Sequence, residues 1–262
     1  MKGGRAGISV IIITFLFPVV LLMLLSISAS WRFPELFPAT WSFRPLLYVL
    51  SQRKSIIKSI LGSFLYSSAA VGLTAALCFP AASLFARERF KGKQLLEVLF
   101  LLPALVPSIT FSMGIHYMFI RIGLADTAVG VVLVLTMFSF PYMLRALTAG
   151  FRAYGTEFSQ CASNLGAGYW TRMLRVELPL ITPSLVAGGS VVFLVAFTEY
   201  FLVFLIGGGA VPSFSGYLFP MLLSSDRPVA ALLTLIFLAI PILLFILLDA
   251  AVIRLYRRKG LM

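Results

Sequence analysis

The sequence predicts an all-α, polytopic membrane protein with six transmembrane helices, and three observations predict it. Of its 262 residues 60% are hydrophobic and only 11% are charged, which leaves more apolar surface than one soluble core of this length can hide. Several uncharged runs exceed the roughly 18–20 residues that a helix needs to cross a bilayer. Finally, the Lys and Arg residues gather at the ends of those runs, as membrane topology requires. In a soluble chain a formal charge of +12 would point to nucleic acid or an acidic partner. Here topology accounts for it, and nucleic acid is excluded as a partner.

The apolar runs and their charged or turn-forming boundaries place the spans at Gly7–Ala29, Ser59–Phe85, Leu95–Ile120, Thr127–Leu147, Thr182–Ile206 and Val229–Ile253. The first has a basic start and small residues at Ser26–Ser30, the outline of a secretory signal. Its apolar run of about 23 residues outlasts the 7–15 of a signal core, so a retained span is expected. Between the first two spans, the aromatic and proline-rich stretch Trp31–Tyr48 suits the outer headgroup region. Short connections follow at Ala86–Gln94 and Arg121–Asp126, then a long loop over 148–181, and a last external loop from Gly207 to Pro228.

Basic residues set the orientation. With the N-terminus inside, Lys2, Arg5, Arg87, Arg89, Lys91, Lys93, Arg145, Arg152, Arg172, Arg175, Arg254, Arg257, Arg258 and Lys259 are cytoplasmic. Arg32, Arg44, Arg53, Lys54, Lys58, Arg121 and Arg227 are external, giving 14 against 7. Both termini of this multi-pass chain are therefore expected in the cytoplasm. The two cysteines, Cys78 in a span and Cys161 in the long loop, make neither a disulfide framework nor a metal site.

The long loop carries the functional signal. Residues 157–183 read EFSQCASNLGAGYWTRMLRVELPLITP. Glu157 to Leu165 can form a short helix, with Glu157 favourable in its first turn. Gly166 and Gly168 allow a turn, Tyr169–Val176 can form a second short helix, and Pro179 and Pro183 mark where this element ends and the fifth span begins. A small-residue helix outside the membrane needs something to pack against, so a partner's docking site follows.

This stretch resembles the EAA loop of type I ATP-binding-cassette importer permeases, whose pattern is EAA, three residues, Gly, nine residues, Ile, one residue, Leu-Pro. Gln160, Cys161 and Ala162 stand at EAA, Gly166 at the glycine and Val176 at the isoleucine, and Leu178-Pro179 completes the pattern with every spacing intact. Looser similarity extends to LPALVPSITFSMG, TEYFLVFLIGGG and SSDRPVAALLTL. The resemblance implies the type I importer fold over a single permease domain, 1–262, of a bacterial inner-membrane protein. Within it 148–181 is the cytoplasmic coupling loop that seats on an ATP-binding subunit. It implies Glu157, Gln160, Cys161, Ala162, Gly166, Trp170 and Pro179 as the ATPase-coupling residues. Glutamine in place of glutamate keeps hydrogen bonding but removes an ion pair from that contact. The implied partners are two ATP-binding subunits, a second permease subunit, identical or related, and a periplasmic or extracellular solute-binding protein. The implied solutes are small and polar or charged: polyamine, ferric iron, thiamine or phosphonate.

No nucleotide site is read in the chain itself. The nearest approach to a phosphate-binding loop, Gly150 to Thr156, lacks the lysine, so ATP and magnesium belong to the partner and the chain is not an enzyme. Inside the spans, Glu199 lies beside Thr198 and Tyr200 in the fifth. It faces the translocation pathway in one reading and bonds to a neighbouring span in the other. Pro103 and Pro107, one turn apart, bend the third span beside the pathway. His116 is read as packing or as a hydrogen bond between helices. Lys93 and Glu97 share a helix face, and Gly188-Gly189-Ser190 permits close helix approach. An ion-coupled transporter or channel, the alternative function, would need more intramembrane charge or an inverted repeat. An intramembrane enzyme would need paired acidic or zinc-binding groups, which the spans lack.

Overall fold

The computed structural model describes residues 2–31, 35–38 and 40–258, with side chains described over 12–31, 35–38, 40–250 and at Arg254. Arg32 and Lys259, and the side chains of Lys2, Arg5, Arg257 and Arg258, which entered the charge balance, lie outside the described residues.

The architecture is helical, as the sequence predicts. In order, α1 is Lys2–Ser26, α2 Arg44–Ser51, α3 Arg53–Arg87, α4 Lys93–Leu105, α5 Ser108–Arg121 and α6 Ala128–Tyr154. Then come α7 Glu157–Asn164, α8 Tyr169–Arg172, a π-helical turn Met173–Glu177, α9 Leu178–Thr198, α10 Phe201–Gly207, α11 Phe214–Leu222 and α12 Arg227–Arg258. A small antiparallel hairpin joins β1, Ser28–Ser30, to β2, Thr40–Trp41.

Among the described residues, helices long and apolar enough to cross a membrane are Arg53–Arg87, Ala128–Tyr154, Tyr169–Thr198 and Arg227–Ala250. A fifth is the pair α4 and α5, taken together across a 100° bend. The described apolar part of α1, Ile12–Ser26, is shorter than these. The expected third span is thus not one helix. Pro103 stays inside α4, and the break falls at Val106 and Pro107, where extended backbone at both residues ends one helix and starts the next. The fifth span also differs, since α9 stops at Thr198, Glu199 and Tyr200 interrupt it, and α10 continues. The loop's second helix is not separate either. It runs through the π turn into α9, and that wider turn accommodates Pro179, which has no amide hydrogen to give.

The helices group into two compact units. One holds Met1–Gly62 with Pro212–Ile242. Its fixed point is the Arg44 guanidinium, which donates to both Asp226 carboxylate oxygens at 2.8 and 2.6 Å. Asp226 in turn accepts from the Val229 amide in the first turn of α12. Tyr48 and Tyr217 bring their hydroxyls to 3.5 Å beside Met221.

The other unit holds Ser63–Val211 with Leu243–Met262 and has α6 at its centre. Buried residues of α6, among them Val134, Leu135, Met143, Leu147 and Phe151, serve two apolar clusters. One gathers Tyr66, Phe119, Leu202 and Ile206, the other Cys78, Phe85, Ile181 and Val192. Helix α9 approaches α6 through glycines. A Cβ on Gly188 would stand 2.8 Å from the Ala146 Cβ, and one on Gly150 would stand 2.7 Å from the Ser184 Cβ, so the expected close approach at Gly188 is found.

Candidate functional site

The loop between α6 and α9 is built by local chemistry. Gly155 breaks α6 with φ +66°, and Glu157 occupies the first turn of α7, where its charge complements the helix dipole. Nine residues later Gly166 takes φ +81°. Its amide donates to the Ser163 carbonyl at 2.9 Å, and the Ala167 amide reaches back to the Ala162 carbonyl at 3.0 Å. This is the paired closure of a helix end by a left-handed glycine. Gly168, by contrast, sits at φ −67°, so the left-handed turn rests on Gly166 alone.

The resulting knob is apolar and open. Phe158 is 58%, Leu165 83%, Tyr169 54% and Trp170 68% exposed. The Tyr169 and Trp170 rings meet edge to face at 5.5 Å, and the Arg172 guanidinium lies 5.9 Å from the Tyr169 ring while donating to the Ser163 hydroxyl at 2.7 Å. Of the residues expected to couple, Glu157, Gln160, Cys161, Gly166 and Trp170 are exposed together, and Ala162 is half-buried. Pro179 is apart from them, half-buried in the first turn of α9. Beside the knob lies a polar cleft of about 460 Å³ lined by Arg87, Thr156, Ser159, Gln160, Ser163 and Arg172.

Behind the knob is a charge cluster that reading the sequence missed. Glu177, 7% exposed, accepts at Oε1 from Arg87 Nη1 and from the Ser159 hydroxyl, each at 2.8 Å. Arg172 Nε stands 3.6 Å from the same oxygen. Arg87 ends α3, and its guanidinium also covers the Phe151 ring at 4.9 Å. Arg87 reads in the sequence as one more positive-inside residue. The available signal was Glu177 itself, an acid immediately before the Leu-Pro that opens an apolar run, where an unpaired charge is costly.

Of the expected pathway residues, Glu199 and Tyr200 stand at the break between α9 and α10, and Pro107 stands at the break between α4 and α5. Glu199 Oε1 accepts from the Phe201 amide at 3.1 Å and the Leu202 amide at 3.3 Å, capping α10. Ser108, the first residue of α5 after the Pro107 break, lies beside its carboxyl. The two interrupted helices therefore come near each other at this side chain. Tyr200 stacks on Phe204 at 5.4 Å, while Pro103 remains within α4. His116 Nδ1 has no hydrogen-bond partner among the described residues, so of the two readings packing stands. Glu97 faces Arg152 at 3.6 Å rather than Lys93, whose ammonium donates to the Glu88 carbonyl. Among the described residues no group of acidic, histidine or cysteine side chains is arranged to hold a metal.

The chain is similar to known proteins over most of its length. The family model of the binding-protein-dependent transport system inner membrane component matches residues 78–260. The molybdenum transport system permease protein ModB of Mycobacterium tuberculosis is 29% identical over 184 residues, 66% of this chain and 67% of that protein. The sulfate transport system permease protein CysT of Escherichia coli is 27% identical over 192 residues, 68% and 69% of the two chains. A crystal structure of a bacterial ABC transporter involved in import of the acidic polysaccharide alginate superposes with TM-score 0.72 at 16% identity, covering 95% of each chain, which is a likeness of fold.

Proposed function

Because the chain belongs to the family of binding-protein-dependent transport system inner membrane components, and is a permease subunit of an ATP-binding-cassette importer, we propose that the knob formed by α7 and α8 is where its ATPase docks. The observation that carries this reading is the exposure of Leu165 and Trp170, 83% and 68%, at the turn and first helical residues that lead into the Tyr169–Thr198 helix. Bare apolar and aromatic groups on a water-facing surface mark a partner's seat. Loss of the glutamate at Gln160 makes this seat depend on packing more than on an ion pair.

In the assembly we envisage, two ATP-binding subunits hold ATP and magnesium, a second permease subunit completes the path, and a solute-binding protein delivers the cargo. Both units of the chain form one permease domain, with both termini and the knob in the cytoplasm. The Glu199 carboxylate is engaged in capping α10, which argues against a cation drawn by it and against the ion-coupled alternative. The named relatives carry molybdenum and sulfate, so a small oxyanion is the favoured cargo, and phosphonate is the member of the expected set that fits it.

Leu165→Glu with Trp170→Glu tests the docking. Both side chains are exposed, so the fold tolerates the change. The ATPase co-purifies with the unaltered chain in mild detergent and is lost from the double variant. Recovery of no ATPase with the unaltered chain, or equal recovery with both, would sink the assignment.

A further inference from the structure

We propose that Glu177 is the positioning residue that makes the docking knob move as one piece with the membrane helices. The inference rests on the docking assignment above and adds the internal link through which that docking is felt.

The argument starts from a single oxygen. Glu177 Oε1 takes hydrogen bonds from Arg87 at the end of α3 and from Ser159 in the middle of α7, both at 2.8 Å, with Arg172 of α8 at 3.6 Å. Glu177 itself is the last residue of the π turn and is followed directly by α9. Arg87 lies on Phe151 near the end of α6 and bonds Ser83 one turn back in α3 at 3.2 Å. The end of α3, the start of α9 and the knob thus meet at one carboxylate, and Arg87 carries the contact on to α6.

Its environment makes the link stiff. Side-chain exposure is 8% for Glu177 and 18% for Arg87, so water is poorly placed to replace a broken bond. Charge-assisted hydrogen bonds are the stronger kind, and removing one partner strands the other charge in the interior. Helix α7 offers no buried residue of its own to anchor it. Its tie to the helix bundle therefore passes through Ser159 and Glu177 to a degree that packing cannot supply. When a docked partner displaces α7, the pull falls on α9 and α3 together. Helix α9 transmits it toward the Glu199 break, where the backbone is already interrupted.

A merely structural ion pair would change stability and nothing else, so the test reads transmission. The full chain is assembled with its ATPase in nanodiscs. Hydrogen–deuterium exchange is followed in peptides spanning 195–204, with and without ATP and vanadate. In the unaltered complex nucleotide trapping changes exchange at the break. In Glu177→Gln and in Ser159→Ala the ATPase still co-purifies, but the nucleotide-dependent change falls at least fivefold. Ser159→Ala removes one hydroxyl and leaves the Arg87–Glu177 pair in place, so it decides the matter even if Glu177→Gln assembles poorly. A full nucleotide response in Ser159→Ala overturns the proposal while leaving docking intact. Absence of the ATPase from the unaltered complex overturns docking and the link with it.

Discussion

Asp226 shows how one residue makes the chain pH-sensitive. Hydrogen bonds from Arg44 hold its carboxyl below the usual carboxylate range, against a smaller opposing effect of burial. Because the folded-state pKa is depressed, the stabilisation is complete above the ordinary carboxylate pKa. It is lost as pH falls through the depressed value. The Arg44 side chain is 53% and that of Asp226 31% exposed, so the pair is worth about 0.2–1 kcal/mol. Asp226→Asn should lower the thermal midpoint slightly at neutral pH, with the difference from the unaltered chain vanishing on acidification. A difference that persisted or grew in acid would mean that the pair is not its source. Glu199 illustrates what a single residue hides. Its type and place in an apolar run were legible, but its work was not. Capping α10 depends on a helix break after Thr198 that only the fold reveals.

At the scale of elements, glycine decides how closely α6 and α9 pack. Gly188→Val would drive side-chain atoms into Ala146 and Met143, whose Sδ would stand 3.0 Å from the new Cβ. Overpacking of this kind costs about 1–3 kcal/mol. Gly72→Ala in α3, with nothing within 4 Å of its Cβ, should be neutral or slightly stabilising, since alanine is the better helix former. Thermal unfolding of the purified chain distinguishes them, and equal midpoints would refute the packing argument. The extent of each apolar run, the glycine contact and the helix of the loop could be read in advance because each is set within one or two turns of chain. The breaks at Val106–Pro107 and Glu199–Tyr200 could not. Proline permits interruption, but whether a helix bends or stops depends on who satisfies the freed backbone groups. At the second break part of that answer is Glu199, which accepts from the Phe201 and Leu202 amides.

For the molecule as a whole, the contacts at Arg87 settle which way the chain runs through the unit 63–211. Arg87 ends α3, Phe151 lies near the end of α6 and Glu177 precedes α9, and Arg87 touches both of the others. The ends of α3 and α6 and the start of α9 therefore lie on one side. Helix α6 is long enough to cross once, so it begins on the opposite side, where the Asp126 amide before it bonds the Ile206 carbonyl at the end of α10. The chain leaves α3 on one side and enters α6 on the other. The 100° bent pair α4 and α5 between them must then carry it across rather than return as a re-entrant loop. The expected six-span pattern needs this crossing to keep both termini on the knob's side. The native cysteines supply the test. Cys161 is exposed on α7 and Cys78 is fully buried, so a membrane-impermeant maleimide reports on α7 alone. Cys161 should label in inverted vesicles and not in right-side-out ones, with labelling slowed about tenfold or more when the ATPase is bound. With Cys161→Ser, a cysteine placed at exposed Arg121 at the end of α5 should show the reverse sidedness. Labelling of both positions from the same side would mean that the bent pair does not cross, and would leave the chain one span short of placing its N-terminus on the knob's side.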